Sequence, residues 1–83
     1  MKLEEVEQSI IKFLKNNILA EEVEIDASNN LSELGVDSYS IVEILLFIER
    51  KYGFVIPDDE LKPDNFINVT SISKTVVEVA DRI

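Results

Sequence analysis

Histidine and cysteine are both absent from this 83-residue sequence. Without an imidazole or a thiol, the chain cannot form a Ser-His or Cys-His nucleophilic pair, and it lacks the usual ligands of zinc. Any thiol chemistry must therefore come from a group that is added to the protein. A chain without cysteine is also compatible with a reducing compartment, and we expect a cytoplasmic protein.

Glycine, proline and long apolar runs are scarce. Two glycines and two prolines argue against a low-complexity chain. No apolar run approaches the ~20 residues that span a bilayer, and the acidic N-terminus lacks the apolar core of a signal peptide. We expect one monomeric domain over residues 1–83, without stable membrane insertion.

Basic residues are outnumbered, since eight Lys and Arg stand against seventeen Asp and Glu, for a net charge of −9. This balance argues against nucleic acid as a partner and disfavours an anionic membrane. A partner with a basic patch is favoured, because opposite charge speeds association. The same charge also keeps a small protein in solution, and composition alone does not separate these two roles.

Apolar residues recur at helical spacing in three long segments and one short one. The pattern predicts an all-α four-helix bundle with helices at about 3–16, 38–51, 57–61 and 69–82. A long loop at 17–36 separates the first two helices, and loops of this length are often functional. We expect its apolar residues to anchor it to the core: Val23, Ile25, Leu31 and Leu34.

This loop contains polar residues at Asp26, Ser28 and Asn30, the spacing of a calcium-binding loop. Leu31 stands where that loop requires glycine, and Asp37 replaces its bidentate glutamate. We therefore expect a solvated turn here and no metal site.

Ser38 lies where the loop gives way to the apolar run 41–48, and Asp37 before it is a good N-cap. A serine at a helix start lies beside N–H groups that have no helical partner, a place that suits phosphate. Ser38 has no imidazole base, so we interpret it as a residue that is modified. Taken alone, Asp-Ser also fits an ordinary capping pair with no further role.

The surroundings of Ser38 make a more specific match. From about residue 3 to residue 83 the chain resembles the acyl and peptidyl carrier protein family, chiefly in four stretches: Leu31 to Ser38, Ile41 to Ile44, Glu49 to Asp58 and Phe66 to Ile72. The resemblance implies that a phosphopantetheinyl transferase uses coenzyme A to attach 4′-phosphopantetheine to Ser38, beside the cap Asp37. The arm then holds acyl intermediates as thioesters, in fatty-acid, polyketide or specialised lipid biosynthesis, and the protein catalyses nothing.

The resemblance also implies that the second helix meets basic patches on loading and synthase enzymes, through Tyr39, Val42, Glu43 and Glu49. Some residues depart from the family pattern: Ser40, Arg50 and Lys51 stand where acids are common, and Tyr39 replaces the usual leucine. The two cations also suit the end of a helix. Two alternatives stay open, a free-standing aminoacyl or peptidyl carrier and an acidic helical interaction module that is never modified.

Overall fold

The computed structural model describes residues 1–83 and confirms the all-α class, with no strand. Its three α-helices are α1 (Leu3–Asn17), α2 (Ser38–Tyr52) and α3 (Val69–Arg82), each within one residue of the predicted bounds. Short 3-10 turns lie between them at Leu31–Leu34, Asp58–Glu60 and Pro63–Phe66. None of the helices has both the length and the apolar character that crossing a membrane requires.

The expected four-helix count is not confirmed, because the segment predicted as a short helix at 57–61 forms only a 3-10 turn, Asp58–Glu60. Pro63 disfavours helical backbone at the residue before it, so a helix starting after Pro57 has no room to recover the cost of its first turn. The Asn65 side-chain amide instead donates to the Glu60 carbonyl at 2.7 Å. Pro63 then begins a second 3-10 turn that the sequence interpretation did not include.

The core is one cluster of buried apolar side chains from all three helices and the segments between them. Members from one helix recur every three or four residues, as expected for a buried face. Its twelve residues are Val6, Ile10, Leu14, Leu31, Val36, Ile44, Ile48, Ile56, Val69, Ile72, Val76 and Val79.

The long loop is attached to the start of α3 by backbone hydrogen bonds. The Leu31 N–H donates to the Ile67 carbonyl at 2.8 Å, and the Thr70 N–H donates to the Ala27 carbonyl at 3.0 Å. Of the predicted anchors, Leu31 is buried and Ile25 and Leu34 pack against the core, whereas Val23 is only half-buried and lies outside that set. The loop therefore enters α2 from a defined position.

Candidate functional site

Ser38 is the first residue of α2, and its side chain is exposed. The preceding turn sets its position. Gly35 ends the 3-10 turn with φ +87°, a conformation that favours glycine, and Val36 then returns to the core with 6% of its surface exposed. Because Val36 is buried, the residues that follow it emerge at the surface, and the helix begins there.

Asp37 caps this helix as predicted. Its carboxylate accepts a hydrogen bond from the backbone N–H of Ser40 at 2.9 Å. This bond is the main reason why the pKa of Asp37 lies below its ordinary value, with a second contribution from the Ser40 side chain. Other N–H groups of the first turn have no intrahelical acceptor, so the helix start keeps its partial positive charge beside Ser38.

An open groove of about 490 Å³ adjoins Ser38. One wall is the end of the long loop with Ile41 of α2, and the other is Pro63, Phe66 and Ile67. Phe66 belongs to one of the stretches that resemble the family, but neither Phe66 nor Pro63 is among the predicted site residues. An exposed hydroxyl at a helix start, with a partly apolar groove beside it, fits a phosphodiester that bears a long arm.

The outer face of α2 is apolar near Ser38. Tyr39, Val42 and Leu46 are 73%, 53% and 44% exposed, and their spacing places them on one side of the helix. We call these three residues the outer strip. Glu49 is exposed and follows Leu46 at the same helical spacing. The structure thus brings three of the predicted partner-binding residues onto one face and adds Leu46, which the helical spacing from Tyr39 could have revealed.

Glu43, the other predicted partner-binding residue, lies at the border of this face. It is half-buried and lines a groove between α1 and α2 together with Asn17 and Arg50. Glu43 and Arg50 thus line the same groove without forming a salt bridge, whereas Glu49 is more exposed.

Comparison with known proteins identifies the family. Residues 8–83 match the family described as phosphopantetheine attachment site. The chain belongs to this family. The expected resemblance to acyl and peptidyl carrier proteins is confirmed, and the cofactor of this carrier protein is a covalently attached 4′-phosphopantetheine.

Relatives of this carrier protein include both acyl and aminoacyl carriers. It is 41% identical over 61 residues to an acyl carrier protein of Rickettsia bellii, covering 71% of this chain and 70% of that one. It is 32% identical over 77 residues to aminoacyl carrier protein 1 of Bradyrhizobium diazoefficiens, covering 88% of this chain and 83% of that one.

A solved structure has a similar fold. It is that of the Bradyrhizobium japonicum glycine:[carrier protein] ligase complexed with its cognate carrier protein and an analogue of glycyl adenylate. The matched chain superimposes with a TM-score of 0.72 and 25% identity, over 92% of this chain and 96% of that chain.

Proposed function

We propose that Ser38 bears the 4′-phosphopantetheine arm and that the protein presents acyl or aminoacyl groups, bound to the arm as thioesters, to partner enzymes. The observation that supports this assignment is the position of Ser38, exposed at the first residue of α2. When bound, the arm supplies a terminal thiol that the chain itself lacks. The chain contributes the attachment oxygen, the helix start that favours the phosphodiester, and the adjoining groove.

In this proposal the protein is a substrate of enzymes and not itself a catalyst. A phosphopantetheinyl transferase loads Ser38 from coenzyme A: the serine oxygen forms a bond to phosphorus, its proton leaves, and adenosine bisphosphate is released. The transferase supplies the base, since Asp37 is occupied in capping the helix. A cytoplasmic location and a monomeric state stay predictions.

The loading and synthase enzymes are proposed to bind the outer strip together with Glu43 and Glu49. An exposed apolar strip marks an interaction site, and flanking carboxylates favour enzymes with basic patches. The same face would meet the transferase, because it begins at Tyr39, directly after the attachment site.

Two cargo classes follow from the relatives. The acyl carrier of Rickettsia bellii supports an acyl group, for fatty-acid, polyketide or specialised lipid biosynthesis. An aminoacyl group is supported by the aminoacyl carrier of Bradyrhizobium diazoefficiens and by the similar fold of the matched chain in the structure of the ligase with its carrier protein. Supplying the loaded protein with an acyl ligase or an amino-acid ligase, and weighing the thioester formed, separates the two classes.

The attachment is tested by incubation with coenzyme A and a broad-specificity transferase, followed by intact-mass measurement. One phosphopantetheinyl group is expected on the wild type and none on Ser38→Ala. Ser40→Ala is the matched control, because it removes a serine from the same helical turn but keeps the backbone N–H that caps onto Asp37. A wild type left unmodified by several transferases would instead support an unmodified interaction module, and a modified Ser38→Ala would exclude Ser38.

A further inference from the structure

The packing of α1 against α2 brings cations together around an aromatic pair. The rings of Phe13 and Phe47 stack with centroids 4.5 Å apart and an interplanar angle of 19°. Lys12 and Lys51 line a groove on one side of the stack, and Arg50 lines a groove on the other side. We call these five residues the basic cleft.

None of the three cations of the basic cleft forms a salt bridge, although Glu43 lines the larger groove together with Arg50. The one salt bridge of the protein joins Arg82 to Glu60, elsewhere in the fold. None of the three cations has an acid three or four residues away along its own helix, where helical ion pairs form. The net charge of the chain is −9, so this cluster of three cations is a local exception on an otherwise acidic surface.

The favourable interaction of cations with a helix C-terminus explains only two of the three cations in this cluster. Arg50 and Lys51 lie in the last turn of α2, where cations suit the helix dipole. Lys12 lies more than a turn before the end of α1 at Asn17, beyond the reach of that effect. Its place beside Lys51 results from the antiparallel packing of the two helices.

The phenylalanine pair is the apolar floor of the basic cleft, and polar side chains complete the lining of its two grooves: Ser9, Asn16, Asn17 and Glu43. The two grooves that flank the stack have volumes of about 330 Å³ and about 210 Å³. Phe13 and Phe47 line both grooves, and Leu46, 44% exposed, lines the larger one. An apolar floor surrounded by three cations and one carboxylate keeps a net positive charge, which is complementary to a helix that has apolar side chains on one face and carboxylates beside them.

We propose that the basic cleft is a docking surface for an acidic amphipathic helix of a partner protein. The partner's apolar side chains enter the grooves on the two sides of the phenylalanine stack, and its carboxylates pair with Lys12, Arg50 and Lys51. Arg50 lies about 18 Å along α2 from Ser38 by helical rise. A partner held there would cover Leu46, which the cleft shares with the outer strip, but would leave Ser38 and Tyr39 at the start of α2 accessible.

The test is an NMR titration of the isotope-labelled full chain, loaded on Ser38, at low ionic strength. The probe is a synthetic helical peptide with leucine on one face and glutamate on the other. Its counterpart has lysine in place of every glutamate. The acidic peptide is expected to shift the amide resonances of Phe13, Phe47 and Lys51, and the basic peptide is expected to leave these resonances unchanged.

Charge-reversal variants test whether the cations of the basic cleft bind the acidic peptide. Lys12→Glu with Lys51→Glu should weaken binding of the acidic peptide by about tenfold or more, and added salt should weaken binding to the wild type. Lys62→Glu with Lys74→Glu is the matched control, since it makes the same change in net charge at exposed lysines outside the cleft. If the reversed chain unfolds, Lys12→Gln with Lys51→Gln takes its place.

Three results would overturn the docking surface: no shift with the acidic peptide, equal shifts at these amides with both peptides, or equal weakening by the cleft and control variants. Loading of Ser38 is measured by mass on the same samples. If the protein is loaded normally but does not bind the acidic peptide, the docking surface is contradicted and the carrier function is not. If the protein is never loaded but binds the peptide, the carrier function is contradicted and the docking surface is not.

Discussion

The Asp37 carboxylate accepts a hydrogen bond from the Ser40 backbone N–H at 2.9 Å, which places a charged helix cap directly before Ser38. The cap determines where α2 begins and therefore which residue is first in the helix. The position of the proposed attachment site therefore depends on this short-range contact. It also depends on Val36, which is buried in the core, so that the residues following it lie at the surface.

Replacing Asp37 by Asn should make the helix start less sensitive to acid. The pKa of Asp37 is lowered in the folded protein, chiefly by the Ser40 N–H, so its stabilising effect is complete above the unfolded value of about 3.9 and is lost as pH falls through the lower folded value. Asn also caps helices but does not titrate. Thermal unfolding should therefore show a smaller loss of stability below about pH 4 for Asp37→Asn than for the wild type.

Asp26→Asn is the comparison variant for Asp37→Asn. The pKa of Asp26 is also lowered, mainly by the Ser28 side chain, but Asp26 lies in the long loop and caps no helix. Asp26→Asn should reduce the acid sensitivity of overall stability without changing loading of Ser38 near neutral pH. Parallel pH profiles for wild type and Asp37→Asn would contradict a titrating cap.

Truncations at Ile72 and Leu45 should have unequal costs. Ile72 is 1% exposed in the centre of the core, whereas Leu45 is half-buried at its edge. Ile72→Ala should lower the free energy of unfolding by about 2–5 kcal/mol, and Leu45→Ala by less, since its site loses fewer contacts. Denaturant unfolding measures both, and a negligible effect at Ile72 would refute the core assignment.

Ser73→Ala should preserve or raise stability. Ser73 is fully buried in α3, and its hydroxyl has no hydrogen-bond partner. An unpartnered buried hydroxyl costs about 1–3 kcal/mol, and alanine is the better helix former. Denaturant unfolding at neutral pH measures the change, and a clear loss of stability would indicate that the hydroxyl has a partner in solution.

Ser71→Ala is the matched substitution two residues earlier in the same helix. Ser71 completes a capping box with Asn68, since its hydroxyl accepts from the Asn68 N–H at 3.1 Å and the Asn68 side chain accepts from its N–H at 2.7 Å. Its removal should lower the free energy of unfolding by roughly 0.5–1 kcal/mol. The two serines should therefore respond with opposite sign.

The charges of α2 should control partner choice. Arg50 and Lys51 follow Glu43 and Glu49 on this helix, so a basic enzyme surface suited to an all-acidic helix meets repulsion at its last turn. We expect poor turnover with fatty-acid synthase enzymes. Arg50→Glu with Lys51→Glu should improve it, most clearly at low salt.

Glu43 lies nearer to Ser38, and Glu43→Lys should slow loading by the transferase. Glu49→Lys is its control farther along the helix and should affect loading less. Loading and elongation rates for these variants across a salt series provide the measurement. If Arg50→Glu with Lys51→Glu leaves the rates with every basic enzyme unchanged at low salt, the two cations only stabilise the end of the helix.

Local patterns in the sequence predicted the helices and the start of α2. Helical periodicity, the cap at Asp37 and the turn at Gly53, with φ +79°, each act within a few residues. The same holds for Asn68 at the start of α3. These local signals are sufficient to place Ser38 at a helix N-terminus without any tertiary contact.

Tertiary packing decided the rest. Helix α2 is apolar almost all round, so only its contacts with α1 and α3 determine that Ile44 and Ile48 are buried while Tyr39 and Leu46 are exposed. The groove beside Ser38 needs Phe66, and the basic cleft needs Lys12 beside Lys51, residues far apart in sequence. Such pairs meet only when the helices pack, because helical periodicity relates residues within one helix and contains no information on which helix faces which.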